Sequence, residues 1–96
     1  MSAKYVFAKA LKELRFNLSH TGQGSAATRD FLLRAYFTMK KHNPYTPIMI
    51  REASGTLPKV YARYEFGKET SKSLEGLSEK QIEDAVRQLV KGEDAA

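Results

Sequence analysis

The sequence predicts an α/β fold: a four-stranded mixed sheet with two helices mainly on one of its faces, in the order β-α-β-β-β-α. Three observations carry this. Leu14, Phe16 and Leu18 alternate with Arg15 and Asn17, and a helical apolar stripe follows them. Val60, Ala62, Tyr64 and Phe66 repeat the two-residue period further along. Near the end, Ser78 with Gln81 opens a helix as a capping box and Gly92 closes it.

The elements follow in order. The Leu14/Phe16/Leu18 strand has one apolar face. His20 to Gly24 contains two glycines and reads as a loop, with Ser25 placed to cap the next helix. Leu32, Ala35, Tyr36 and Met39 then recur at helical spacing, and Phe31 widens the stripe. Lys40, Lys41 and His42 suit the negative end of a helix dipole. Pro44 stops that helix and Pro47 stiffens the connector. Ile48 and Ile50, on either side of Met49, give a second strand ending near Glu52. Gly55 marks a turn. The third strand runs from Val60 to Phe66, and Gly67 opens a hairpin into a polar edge strand near Lys68–Ser73. In the last helix Leu77 and Ile82 form a hydrophobic staple, and Ile82, Ala85, Val86, Leu89 and Val90 form the buried stripe.

A β-α-β unit pairs its strands in parallel through a right-handed crossover, which lays the first helix over one face. A hairpin and a closing helix complete a thioredoxin-like sheet with strand order 4-3-1-2. The five residues 53–57 can span the roughly 10 Å of two strand spacings that this order requires. Pro58 falls where thioredoxin-like folds keep a cis-proline.

Composition bounds the function. The chain has 96 residues, room for one domain, and 42% of them are hydrophobic, enough to fill a small core. No run approaches the roughly 18 apolar residues of a membrane span, so the chain is not expected to cross one. With no cysteine, disulfides, cysteine-ligated zinc, an iron–sulfur cluster and thiol chemistry are all excluded. The net charge of +5 is unevenly spread. Residues 1–63 hold eleven Lys/Arg against three acids, a balance of +8, while residues 64–96 hold five against eight, a balance of −3. A basic first part attracts nucleic acid, an anionic membrane or an acidic protein. No dense Lys/Arg run occurs, so charge alone favours an ordinary solvated surface.

Residues 1–11 read as a targeting-like segment. From Met1 to Lys12, Lys4, Lys9 and Lys12 sit among apolar residues with no acid, although the Arg and Ser richness of mitochondrial leaders is missing. Residues 93–96 form a short tail, and the whole of 1–96 is expected to be one domain.

Catalytic chemistry has little to stand on. A thioredoxin-like redox enzyme needs a thiol at the start of its first helix, and Ser19-His20-Thr21-Gly22 has none. Serine stays protonated without a positioned base, and no third group is placed to orient His20. His20 and His42 are the only histidines, and neither has a carboxylate cluster. Gly22-Gln23-Gly24-Ser25 lacks the lysine of a phosphate loop and reads as a turn with a cap. Neither a catalytic residue nor a cofactor, metal or small-molecule substrate is expected.

The face opposite the helices is more informative. Alternation places Glu13, Arg15 and Asn17, then Met49 and Arg51, then Tyr61, Arg63 and Glu65 on it, with no segment left to cover them. Cross-strand ion pairs on a solvated face, each worth about 0–1 kcal/mol, would account for the same residues. Arginines on central strands beside a tyrosine point instead to a docking surface, because these residue types dominate interface hot spots. The candidate interface is Arg15, Arg51, Lys59, Tyr61 and Arg63. An Arg51–Glu52 ion pair within the chain is the alternative role for Arg51.

Several strings together resemble one family: Leu14-Arg15-Phe16, Thr28-Arg29-Asp30-Phe31, Asn43-Pro44, Pro47 to Glu52, Pro58 to Tyr64, and Phe66 to Thr70. It is similar to the alpha subcomplex subunit 2 family of mitochondrial NADH:ubiquinone oxidoreductase, respiratory complex I. The resemblance runs from about Lys12 to Gly92, and its most specific part is Ile50 to Thr70. It implies a thioredoxin-like fold and a non-catalytic accessory role in the matrix arm, on the matrix side of the inner membrane. It further implies docking on the large iron–sulfur subunit and mitochondrial import, often without a cleaved leader. The subunit would carry neither NADH, flavin nor a cluster. Some relatives have two cysteines that could pair; Ser19 and Ala53 stand at the matching positions, so a thiol role cannot operate here. Mitochondrial ribosomal proteins share the domain, which makes an rRNA-binding ribosomal protein the alternative.

Overall fold

The computed structural model describes residues 6–92. The two-residue alternations become strands β1 (Leu11–Leu18), β2 (Ile48–Glu52), β3 (Lys59–Tyr64) and β4 (Glu69–Ser73), and the two stripes become helices α1 (Ala26–His42) and α2 (Glu79–Lys91). One sheet runs β2-β1-β3-β4. β1 and β2 are parallel, and the other two pairings are antiparallel. This is the thioredoxin-like order that the sequence predicts.

The core lies on one side of this sheet. Leu14, Phe16, Val60, Ala62 and Tyr64 point into it, and Phe31, Ala35 and Met39 of α1 with Ile82, Val86, Leu89 and Val90 of α2 close it from above. Phe16 and Phe31 join sheet to helix with ring centroids 6.4 Å apart. Tyr64 is buried to its tip, and its hydroxyl donates to the carbonyl oxygen of Leu89 at 2.6 Å. That bond satisfies the one polar atom of a buried ring and ties β3 to the last turn of α2.

β1 begins earlier than its alternation indicates. Leu11 opposes Tyr64 and Glu13 opposes Arg63, so Lys12 is an extra residue in a β-bulge. The bulge resets the parity, and Leu11 and Leu14 both reach the core although three positions separate them. The preceding residues are fastened to the domain: Ala8 N–H donates to Val90 O at 2.7 Å and Glu65 N–H to Ala10 O at 2.9 Å. Residues 1–5 of the expected targeting-like segment and the 93–96 tail lie outside the described residues.

α2 forms as its sequence dictates. Ser78 Oγ accepts from Gln81 N–H, the Gln81 side chain accepts from Ser78 N–H, and Gly92 ends the helix at φ 81°, a left-handed conformation suited to glycine. Ser78→Ala is expected to cost about 1 kcal/mol and to lower Tm by about 4–8 °C in a thermal melt. An unchanged Tm would show that the box adds nothing in this context.

Two expectations need correction. Phe66 is not the last core residue of the third strand: β3 ends at Tyr64, and Phe66 is 96% exposed with φ 63° inside a tight turn, Glu65–Gly67. Ser25 occupies the N-cap position without capping, because its hydroxyl is taken by Ser19 N–H at 3.0 Å. At Pro58, where the sequence leaves the isomer open, the preceding bond is trans, and no cis peptide bond occurs among the described residues.

Candidate docking face

The sheet register arranges the side opposite the core in three cross-strand rows. At one end stand Glu13, Arg63 and Glu69 on β1, β3 and β4. The middle row is Met49, Arg15, Tyr61 and Ser71, and the far row is Arg51, Asn17, Lys59 and Ser73. All five candidate interface residues therefore share one face. Neither helix packs on it, since the buried residues of both lie in the core on the other side. Glu65 leaves the face with the turn that ends β3, and Glu69 takes its place. Arg51 is on an edge strand, not a central one.

The rows differ in electrostatics. Glu13 is the hub of the first two. It accepts from Arg63 at 2.8 and 3.2 Å and from Arg15 at 3.0 Å, and Arg15 lies 3.7 Å from Glu69. Arg15 also stacks over Tyr61, 4.8 Å from the ring centroid, with Lys59 at 5.6 Å from the same ring. Arg15 and Arg63 are thus engaged within the chain. In the far row, Arg51 has no hydrogen bond or ion pair and Lys59 no carboxylate partner among the described residues. Asn17 stands between them with its Oδ1 buried and without a hydrogen-bond partner among the described residues. The face is therefore neutralised at one end and cationic at the other, with an unsatisfied polar atom at the cationic end. The internal Arg51–Glu52 pair does not form, as consecutive strand residues point to opposite faces.

Arg63's hydrogen bond holds the Glu13 carboxyl below its ordinary value. Glu83 of α2, paired with Arg34 of α1 and Arg87, is also lowered: burial would raise it, but Arg87 and Arg34 outweigh burial. A depressed folded-state value stabilises the protein above the ordinary carboxylate range, and that contribution is lost as pH falls through the folded value. Urea midpoints should fall on acidification below about pH 4.5. Glu13→Gln should flatten that dependence without abolishing it, since Glu83 remains. An acid dependence identical to wild type would show that Glu13 is not coupled to folding.

The loop that enters α1 is structural. Ser19 Oγ accepts from Gly22 N–H at 2.9 Å, and Arg29 donates to the carbonyl oxygens of Ser19 and Gly22 at 2.8 and 2.9 Å. A Cβ at position 22 would lie 3.0 Å from Ser19 Oγ, so glycine permits this closure. Among the described residues no group of three or more His, Cys, Asp or Glu could hold a metal ion. Sequence reasoning missed two features. One is Glu13 as the hub. The other is an apolar surface formed by Leu33 and Phe37 of α1, off the buried stripe, where their exposure gave periodicity nothing to register.

The fold and this face define a small thioredoxin-like domain with one sheet face open and charged. Residues 28–79 match the family described as mitochondrial ribosomal protein L51 / S25 / CI-B8 domain. The chain is 67% identical over 91 residues to the NADH-ubiquinone oxidoreductase 10.5 kDa subunit of Neurospora crassa, covering 95% of this chain and 97% of that one. It is 45% identical over 84 residues to NADH dehydrogenase [ubiquinone] 1 alpha subcomplex subunit 2 of Arabidopsis thaliana (88% and 87% covered). Against the protein of the same name in Mus musculus it is 40% identical over 82 residues (85% and 83% covered). The chain belongs to the L51 / S25 / CI-B8 domain family, alongside these NADH dehydrogenase alpha subcomplex subunit 2 relatives.

Proposed function

We propose that the chain is an accessory subunit of mitochondrial respiratory complex I that supports its assembly or stability and takes no part in electron transfer. The observation that carries this is the near full-length identity to oxidoreductase subunits of a fungus, a plant and a mouse. A ribosomal role is not favoured, because these relatives are named as oxidoreductase subunits although the domain is shared. The physical contribution is docking. The open face meets a neighbouring subunit, with Arg51 and Lys59 supplying cations that nothing in the described chain neutralises, and with Tyr61 and Arg15 of the middle row and Arg63 of the end row already ordered by their contacts within the chain. The neighbour is the large iron–sulfur subunit of the matrix arm, on the matrix side of the inner membrane. A chain without a thiol fits a structural role better than a redox one.

The test is purification of the tagged chain from mitochondria in mild detergent. The chain should co-migrate with NADH dehydrogenase activity and cross-link to the large iron–sulfur subunit. Co-migration with ribosomal RNA, released by salt, would establish the alternative.

A further inference from the structure

The two edges of the sheet differ in chemistry. β4 reads Glu-Thr-Ser-Lys-Ser, a polar, charged composition that discourages further strand pairing. β2 reads Ile-Met-Ile-Arg-Glu. Leu14 N–H donates to Pro47 O and Ala53 N–H donates to Leu18 O, so residues 47, 49, 51 and 53 bond inward to β1. The backbone N–H and C=O groups of Ile48, Ile50 and Glu52 consequently point out of the sheet.

On the helix side of this edge lies a groove of about 290 Å³ between α1 and β2. Leu33 and Phe37 line it while 81% and 79% exposed, and Ile50 lines it at 40%. Single exposed apolar residues are ordinary, but three around one groove beside an open strand edge mark an interaction site. On the other side of the same strand stands Arg51, a cation without a hydrogen-bond or ion-pair partner among the described residues.

We infer that the β2 edge takes an extended segment of a neighbouring subunit as a fifth strand, with apolar residues on its groove side and a carboxylate opposite Arg51. Successive side chains of an added strand point to opposite faces. The groove on one face and the lone cation on the other therefore specify an apolar–acidic alternation in the incoming segment. A helix laid in the groove would cover Leu33 and Phe37, yet it would neither pair with the outward groups of Ile50 nor reach Arg51 behind the sheet.

This inference rests on the chain being a subunit of a larger complex, and the experiment separates the two. Tagged wild type, Leu33→Asp/Phe37→Asp, Arg51→Glu and Phe66→Asp are expressed in mitochondria, and the fraction recovered in complex I is measured. Phe66 is an exposed aromatic outside the groove and serves as the control. The groove double variant is expected to lower recovery by on the order of tenfold or more, and Phe66→Asp to leave it unchanged. Hydrogen exchange of the wild-type subunit in the intact complex should show the Ile50 and Glu52 amides slowed by at least about tenfold relative to the isolated chain. Wild-type recovery of the groove variant would overturn the proposal. So would exchange at Ile50 and Glu52 as fast in the complex as in the free chain, even with the subunit incorporated. If wild type itself is not recovered with complex I, the functional reading fails and this inference falls with it.

Discussion

Charge reversal of Arg51 and Lys59 together is expected to leave the isolated domain folded while lowering its recovery with complex I on the order of a hundredfold, the effect of misplacing charges buried at an interface. Neither residue has a carboxylate partner among the described residues, so their replacement removes no internal ion pair. Substitutions at such positions usually change stability by no more than about 0.5 kcal/mol. In the complex the new carboxylates would face whatever acidic groups the cations meet, and the attraction would become repulsion. Arg63 is a poorer probe, because it holds Glu13 at 2.8 Å and its loss would disturb the sheet itself. The measurement is the ratio of subunit to complex after purification, with the thermal melt of the isolated variant as the control for folding. Normal incorporation of the double variant would remove the cationic row from the interface.

Phe31→Ala is expected to cost about 3–5 kcal/mol, the loss of a fully buried ring plus the cavity it leaves. Phe31 has no exposed surface and packs against Phe16 from the second turn of α1. Domains of this size are stable by roughly 5–15 kcal/mol, so the variant would sit close to the threshold of folding. The check is urea unfolding: the midpoint should fall steeply while the slope stays constant. Phe31→Leu, which keeps most of the volume, should cost less than about 1.5 kcal/mol. A small loss for Phe31→Ala would mean that α1 settles into the space, and that the first helix is less firmly seated than its burial indicates.

How far the sequence could be read depends on the range of the interaction concerned. α2 was fully legible because its determinants are local: a cap, its reciprocal partner three residues on, a stripe of 3.6-residue period and a terminal glycine. The alternation of β3 was legible up to Tyr64. It failed at Phe66 because the two-residue pattern continues in the sequence after the chain has turned, with Phe66 held at φ 63°. Leu11 was hidden for the opposite reason, since a bulge at Lys12 breaks the period while the strand goes on. Ser25 was in the right place for a cap, but Ser19 N–H six residues earlier competes for its hydroxyl.

The open face shows the same division. Strand parity alone placed Arg15, Arg51, Tyr61 and Arg63 on one side of the sheet, because side-chain direction is a property of the strand itself. Which of those cations are already engaged was beyond the sequence. Glu13 and Arg63 are fifty positions apart, and Arg15 reaches Glu69 two strands away. Those meetings follow from the register of β1, β3 and β4, and the register is set by the bulge and by the core packing beneath. The sequence by itself determined the elements, their order and the composition of the exposed side. Only the folded sheet decided that Arg15 and Arg63 are neutralised while Arg51 and Lys59 meet no carboxylate among the described residues, since pairing a charge requires two distant strands to lie in one particular alignment.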